Sequence, residues 1–231
     1  MGREDYQELK SGVLKRKTKR KLGLFIDGTS LDRATRRLER KIDLAKLVAG
    51  VTAGLQPEIA RYYTLVPYED DSRQFAFLDA VERAGLEVVI KRLPPKGVKR
   101  QVSMDVHIAS DIIAFSVGVF DRPAGAEAPN LGSGSGFKNG HPAAAGSVLP
   151  GESDTTSSLI VPRYSESAHQ DLKRIAAVVC PSRELSYAIF LSHKMHVETQ
   201  LADFGLYGTS DGWKGVDRWI DLSTSETIWR E

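Results

Sequence analysis

Short apolar runs alternate with amphipathic stretches along the first half of the chain. The runs at 22–26, 58–66 and 86–93 have the continuous hydrophobicity of strands buried on both faces of a parallel sheet. Between them, residues 31–48 and 70–85 repeat apolar positions at helical spacing, the former as one helix or two short ones. This order of strands and helices predicts an α/β fold with a mostly parallel sheet and crossover helices.

The second half of the chain continues the pattern after an interruption. A loop at 94–101 precedes a helix that Ser103 or Asp105 opens. Residues 121–172 are crowded with Gly, Ala, Ser and Pro, which predicts a flexible insertion. A strand at 175–179, a helix at 183–195 and a strand at 197–202 follow. We therefore expect a basic tail at 1–21, one domain at 22–222 that contains the insertion, and a C-terminal tail at 223–231.

Composition narrows the class of protein. The hydrophobic content of 41% is ordinary for a globular chain, and no run of eighteen apolar residues indicates a membrane span. The N-terminus lacks the apolar core of a secretory signal, so we expect a cytoplasmic protein with no membrane partner. The single cysteine, Cys180, excludes an intramolecular disulfide and multi-cysteine zinc sites, and we expect it to be a small buried residue.

Positive charge is concentrated at the N-terminus. The run KRKTKRK contains six basic residues in seven: Lys15, Arg16, Lys17, Lys19, Arg20 and Lys21. Such a run is typical of an arm that attracts nucleic acid. A solvated tail that aids solubility, or a contact with an anionic membrane, explains the same composition, and these alternatives stay open.

Acidic residues stand where predicted strands end and helices begin. Asp27 follows the first strand, Asp105 and Asp111 lie on the helix after the third, and Glu184 follows the fourth. Neighbouring strand ends meet at one edge of a parallel sheet, so these carboxylates could share a pocket, although each could instead be a helix cap or a surface charge. Asp105 and Asp111 are six residues apart, about 120° around a helix. Clustered carboxylates select Mg²⁺ or Mn²⁺, the ions of metal-dependent nucleases.

Three segments, LFIDGTSL, SMDVHIASD and VVCPSREL, resemble in this order the motifs of the NYN domain, which belongs to the PIN-like nuclease superfamily and includes LabA-like proteins. The resemblance implies a three-layer α/β/α PIN-like fold. It also implies a ribonuclease, a hydrolase in which Asp27, Asp105 and Asp111 are catalytic and bind Mg²⁺ or Mn²⁺ together with Glu184.

Two positions depart from the family motifs. Ser30 stands where the family has Asn, and CPSREL aligns with Ser-Gly-Asp-x-Asp-Phe, so Ser182 replaces one Asp and Glu184 the other. Arg183 lies between these two positions, and its planar guanidinium could bind two oxygens of a phosphate. With the basic tail, the residues expected to contact RNA are Ser30, Lys96, Lys99, Arg100 and Arg183.

The motifs leave two main functional hypotheses. The first is a metal-dependent ribonuclease that hydrolyses RNA phosphodiester bonds. The second is a weak or inactive NYN-like regulatory module that binds RNA or a protein partner, in which the loss of an Asp at position 182 has reduced catalysis. A homo-oligomer is compatible with both. A third interpretation treats the acids as helix caps and the tail as a solubility device.

Overall fold

The computed structural model describes residues 19–69, 72–121, 172–205 and 212–230. Within these ranges the strands are β1 (Lys19–Asp27), β2 (Ile59–Val66), β3 (Glu87–Arg92), β4 (Leu172–Val179), β5 (Glu198–Asp203) and β6 (Arg218–Asp221). The α-helices are α1 (Gly28–Arg37), α2 (Leu44–Thr52), α3 (Ser72–Arg83), α4 (Asp105–Ser116) and α5 (Ser186–Lys194). The strands form one sheet in the order β3-β2-β1-β4-β5-β6, and every neighbouring pair is parallel.

The apolar runs form the centre of the sheet because both of its faces are covered. Residues 22–27 of β1 and 174–179 of β4 are buried without interruption. On one face, side chains of α1, α2 and α3 pack against Leu24 and Ile26. On the other face, side chains of α4 and α5 pack against Phe25 and Val178. The three-layer α/β/α architecture predicted from the sequence is therefore confirmed.

Tyr62 and Tyr63, which are neighbours on β2, belong to different hydrophobic cores on the two faces of the sheet. Tyr62 is 2% exposed and lies in the core beneath α1 and α3, while Tyr63 is 0% exposed and lies in the core beneath α4. Adjacent strand residues point to opposite faces, so a sheet covered on both sides buries both rings. The all-parallel arrangement follows from the crossover helices, since each helix returns the chain to the same end of the sheet.

The structure shifts several sequence-based boundaries. β1 begins at Lys19, inside the predicted tail, and Ile228 and Trp229 of the predicted C-terminal tail are buried in the core beneath α1 to α3. The sequence did not predict β6. Apart from its two end residues, the predicted insertion at 121–172 lies outside the described residues. Among the described helices, each is too short or too polar to cross a membrane.

Candidate functional site

The order of the strands creates a crevice between β1 and β4. From β1 the chain moves outward to β2 and β3, and from β4 it moves outward to β5 and β6 in the opposite direction. The helix after β1 covers one face, and the helix after β4 covers the other. Ligands of open α/β sheets bind at such a reversal, outside the carboxyl ends of the strands. Residues that follow β1 and β4 are therefore the first candidates for function.

Asp27 ends β1 and caps α1. Its Oδ1 accepts hydrogen bonds from the backbone N–H groups of Thr29 at 3.1 Å and Ser30 at 3.0 Å, and its Oδ2 accepts one from Ser30 Oγ at 2.7 Å. The residue is 4% exposed. Burial raises the pKa of Asp27, the three hydrogen bonds oppose this shift, and the nearby charge of Asp105 adds to it. Asp27 is thus both a strand-end carboxylate and the N-cap of α1, so these two interpretations of the sequence do not exclude each other.

Ser182 connects the end of β4 to the beginning of α4. Cys180 has a left-handed backbone with φ of 50°, and its N–H donates to Ala202 O at 2.8 Å. The chain turns there, and Ser182 Oγ donates a hydrogen bond of 2.5 Å to Asp105 Oδ1. A serine hydroxyl therefore contacts one of the predicted catalytic acids directly.

Asp203, at the end of β5, is an additional acid that the sequence reasoning missed. It is 7% exposed, its Oδ1 accepts a hydrogen bond from Phe204 N at 2.8 Å, and burial raises its pKa. Burial also raises the pKa of the Cys180 thiol, and the charges of Asp203 and Asp27 act in the same direction, so this thiol stays protonated between the two acids. The local signal is weak, because only two apolar residues, Leu201 and Ala202, precede Asp203, whereas a longer apolar run precedes Asp27.

A cavity of about 310 Å³ opens beside these residues. It is lined by Ser30, Arg33, Cys180, Pro181, Ser182, Arg183, Asp203, Trp213 and Trp219. We call it the edge cavity. Arg183 Nη1 donates to Gly212 O at 3.1 Å, and its guanidinium lies 4.9 Å from the centre of the Trp213 ring. These two contacts position the planar guanidinium of Arg183 at the cavity, and the side chain is still exposed to solvent.

The structure does not bring Asp111 to the edge cavity. α4 runs back from the carboxyl edge, so six residues carry Asp111 about 9 Å from Asp105 along the helix axis. There its Oδ2 accepts hydrogen bonds from Arg61 Nη1 at 2.8 Å and Tyr63 Oη at 2.7 Å. Arg61 also binds Glu87, so Asp111 belongs to an ion-paired network over the middle of the sheet.

The acids described here do not form a complete metal centre. Glu184 is exposed and makes no hydrogen bond or ion pair with another described residue. Across the described part of the chain, no group of three or more His, Cys, Asp or Glu side chains is arranged to hold a metal ion. Mg²⁺ usually keeps several waters and binds one or two protein carboxylates, so Asp27 and Asp105 could hold it only if waters or substrate oxygens completed its six ligands. The structure therefore does not bring Asp111 and Glu184 together with Asp27 and Asp105, and the binding of Mg²⁺ or Mn²⁺ stays a prediction.

The predicted basic contacts divide between the two edges of the sheet. Lys96, Lys99 and Arg100 are exposed on the loop that leaves β3 at the carboxyl edge. Lys19, Arg20 and Lys21 begin β1 at the opposite edge, and Lys21 binds Glu58 at 3.0 Å and Asp121 at 2.7 Å. Lys21 is thus occupied within the fold. Lys15, Arg16 and Lys17 lie outside the described residues.

Comparison with known families gives a match over the first half of the described fold. Residues 21–121 match the family model of the NYN domain. The match covers Asp27, Asp105 and the edge of the sheet that they share, and it supports an NYN domain in this part of the chain. It extends over a little less than half of the 231 residues and ends before Ser182.

A solved structure supports the fold of the whole chain. A protein of unknown function from Vibrio parahaemolyticus superposes with a TM-score of 0.59 over 92% of this chain and 98% of its own, at 11% sequence identity. At that identity the likeness concerns the fold alone. Among curated proteins, none matches the sequence significantly.

Proposed function

We propose that this NYN domain protein is a regulatory module that binds single-stranded RNA at the edge cavity and hydrolyses it weakly or not at all. The observation that carries the proposal is the 2.5 Å hydrogen bond from Ser182 to Asp105. A hydroxyl that donates to the acid stands where a catalytic centre of this family would have a third carboxylate. LabA-like proteins, which the motifs resemble, suggest the same regulatory role.

The edge cavity has features that suit a phosphodiester strand. Arg33 and Arg183 carry positive charge on its lining, and a guanidinium fork matches two phosphate oxygens at once. A volume of about 310 Å³ lies at the lower end of the range for small-ligand pockets, so it suits one nucleotide of a single strand. Lys96, Lys99 and Arg100 lie on a loop at the same edge and would add contacts to the phosphate backbone.

A second candidate function is metal-dependent RNA hydrolysis, which the NYN match favours because Asp27 and Asp105 both fall within it. In that case Mg²⁺ or Mn²⁺ would neutralise the two acids. The two functions differ in what happens to bound RNA, and one experiment separates them.

The test measures affinity and cleavage on the same labelled single-stranded RNA. In chelator, we expect the RNA to bind, and we expect Arg33→Gln and Arg183→Gln each to weaken binding several-fold and to reduce its salt dependence. Arg83→Gln removes an exposed charge from the far end of α3 and should leave affinity unchanged. Undetectable binding in chelator would contradict the binding module, and undetectable binding after addition of Mn²⁺ as well would contradict both functions.

Cleavage is then followed after addition of Mn²⁺. Intact RNA supports the binding module, whereas cleavage that disappears in Asp27→Asn supports the nuclease. Ser182→Asp restores the family carboxylate beside Asp105, and we expect Mn²⁺ to raise the melting temperature of this variant more than that of the wild type. An equal shift in both proteins would mean that position 182 does not limit metal binding.

A further inference from the structure

Within the described residues, the outer edge of β3 is an open edge of the sheet. β3 is the terminal strand of the order β3-β2-β1-β4-β5-β6, so no described strand pairs with its outer side. Ile90 is 49% exposed in the middle of this strand, and Leu93 and Phe75 beside it are 37% and 50% exposed. An apolar open edge presents unpaired backbone groups and favours pairing with another strand.

The direction of the unpaired backbone groups follows from one hydrogen bond. Leu93 N–H donates to Val66 O of β2 at 2.8 Å, so the backbone groups of Leu93 point inward. Backbone direction alternates along a strand, so Val89 and Lys91 also point inward, and Val88 and Ile90 point outward. Val88 and Ile90 therefore offer their N–H and C=O groups to a neighbour.

Side chains of β3 are arranged in a self-complementary way. Two copies of an edge strand related by a two-fold axis perpendicular to the sheet pair antiparallel, and paired residues keep their side chains on the same face. With Val89 on the axis, Val88 stands opposite Ile90 of the second copy, and their outward backbone groups form hydrogen bonds. Glu87 stands opposite Lys91 on the face that carries Arg61 and α4.

The charges favour this register over the neighbouring one. Opposite charges directly across two strands stabilise the pair, and apolar residues across from each other do the same. The Val89 register forms two Val88–Ile90 pairs and places Glu87 opposite Lys91 twice. Within its own chain Glu87 also binds Arg61, and Lys91 donates to Ser103 O at 3.2 Å, so the cross-strand charge pairs would add to these contacts. A register centred on Ile90 would instead place Glu87 opposite Leu93 and Lys91 opposite Val89, which leaves both charges facing apolar side chains.

We propose that the protein forms a two-fold dimer in which β3 pairs antiparallel with β3 of a second copy, with Val89 of both copies at the axis. The result is one continuous sheet across the dimer. Because the two copies run in opposite directions, their edge cavities face opposite ways and each remains complete within its own chain. The dimer does not depend on the proposed RNA function.

Disulfide trapping tests the register. Residues at the axis form a non-hydrogen-bonded pair, whose Cα atoms lie about 4.5 Å apart, within the range of a disulfide. The chain has one cysteine, Cys180, which is 2% exposed, so it gives little background. We expect Val89→Cys to form a covalent dimer under mild oxidation. Ile90→Cys is the matched control, since its partner in this register is Val88, and it should remain largely uncrosslinked.

Solution measurements test the dimer itself. We expect light scattering to give twice the chain mass for the wild type and the chain mass for Ile90→Lys, because this substitution would replace both central Val88–Ile90 pairs with a lysine charge facing Val88. Circular dichroism should show that Ile90→Lys is folded, and its RNA affinity per chain should equal that of the wild type. A monomeric wild type at every attainable concentration would overturn the proposal. Covalent trapping by Ile90→Cys but not by Val89→Cys, or a dimer that persists in Ile90→Lys, would also overturn it.

Discussion

At the scale of single residues, the buried carboxylate of Asp27 lowers the free energy of unfolding, because its charge is largely removed from water. Its pKa is raised by burial, and Asp105 adds repulsion. The Oδ1 atom of an Asn can still accept the two backbone hydrogen bonds of the N-cap, while its Nδ2 would donate to Ser30 Oγ in place of the bond that Asp27 Oδ2 accepts, and the side chain carries no charge. We therefore expect Asp27→Asn to increase the free energy of unfolding at pH 7 by about 1 kcal/mol, a typical gain when a functional charge is removed. Denaturant unfolding measures the change.

The pH dependence of this gain provides the sharper test. A carboxyl with a raised pKa in the folded state stabilises the fold below its ordinary pKa of 3.8, and this contribution is lost as pH rises through the folded pKa. The difference between Asp27→Asn and wild type should therefore grow as pH increases above about 4 and vanish below it. Asp43→Asn, at the more accessible N-cap of α2, serves as the control and should change stability little at any pH. A gain that is constant with pH would contradict the buried charge.

Individual site residues were only partly predictable from the sequence. Asp27 and Asp105 were identified because strand ends and helix starts converge at one edge in any parallel sheet. The contacts of Asp111 could not be predicted, since its partner Arg61 belongs to β2 and meets Asp111 only through the packing of β2 against α4. Asp203 follows a short run of apolar residues, and nothing local indicates that β5 lies beside β4.

At the scale of elements, one ion-paired cluster fastens the segment after α4 to the start of the sheet. Arg174, at the beginning of β4, is 6% exposed. Its Nη1 and Nη2 atoms both donate to the carboxylate of Asp121, Nη1 at 2.9 Å. Lys21 of β1 donates to the same carboxylate at 2.7 Å. The hydrogen bond with Arg174 is the main cause that lowers the pKa of Asp121 to about 2. The cluster links three segments that are distant in sequence.

We expect Asp121→Asn to lower the free energy of unfolding at pH 7 by about 2 kcal/mol, because Arg174 would stay buried without its partner. The loss should be smaller than for a fully buried pair, since the side chain of Asp121 is 31% exposed. An acid with a lowered pKa contributes stability above its ordinary pKa and loses it as pH falls. The difference from wild type should therefore shrink between pH 4 and pH 2, near the pKa of about 2.

Asp32→Asn gives the matched comparison for Asp121→Asn. Asp32 pairs with Arg36 one turn along α1, and both side chains are more than half exposed. Such pairs contribute little in water, so its unfolding free energy should stay within about 0.5 kcal/mol of wild type. Equal effects of the two substitutions would mean that the Asp121 cluster is no more than a surface contact.

Elements were predicted well where hydrophobic patterning decides them. β1 and β4 are buried on both faces, and their continuous apolar runs identified them. β6 was missed because its four residues, RWID, contain only two apolar side chains and form a strand through pairing with β5. A short edge strand of this kind depends on a neighbour that the local sequence does not reveal.

At the scale of the whole molecule, the edge cavity lies at one edge of the sheet, and Asp121 and Leu172, which flank residues 122–171, lie at the opposite edge. Asp121 binds Lys21, and Leu172 is in register with Lys19, so both ends meet the start of β1. Asp27 is eight residues further along that strand, roughly 26 Å away. Segments that leave a sheet at neighbouring points can be shortened without moving the strands.

Replacing residues 122–171 with a Gly/Ser linker of about six residues should therefore preserve both the fold and the edge cavity. We expect the melting temperature to change by no more than a few degrees and the RNA affinity in chelator to match that of the full chain, because the linker would start at Asp121, which binds Lys21 of β1 and Arg174 of β4, and end at Leu172, two residues before Arg174. Thermal unfolding and fluorescence anisotropy measure the two quantities. Loss of cooperative unfolding would place part of 122–171 in the core, whereas a stable variant with weak RNA affinity would place it in the RNA-binding surface.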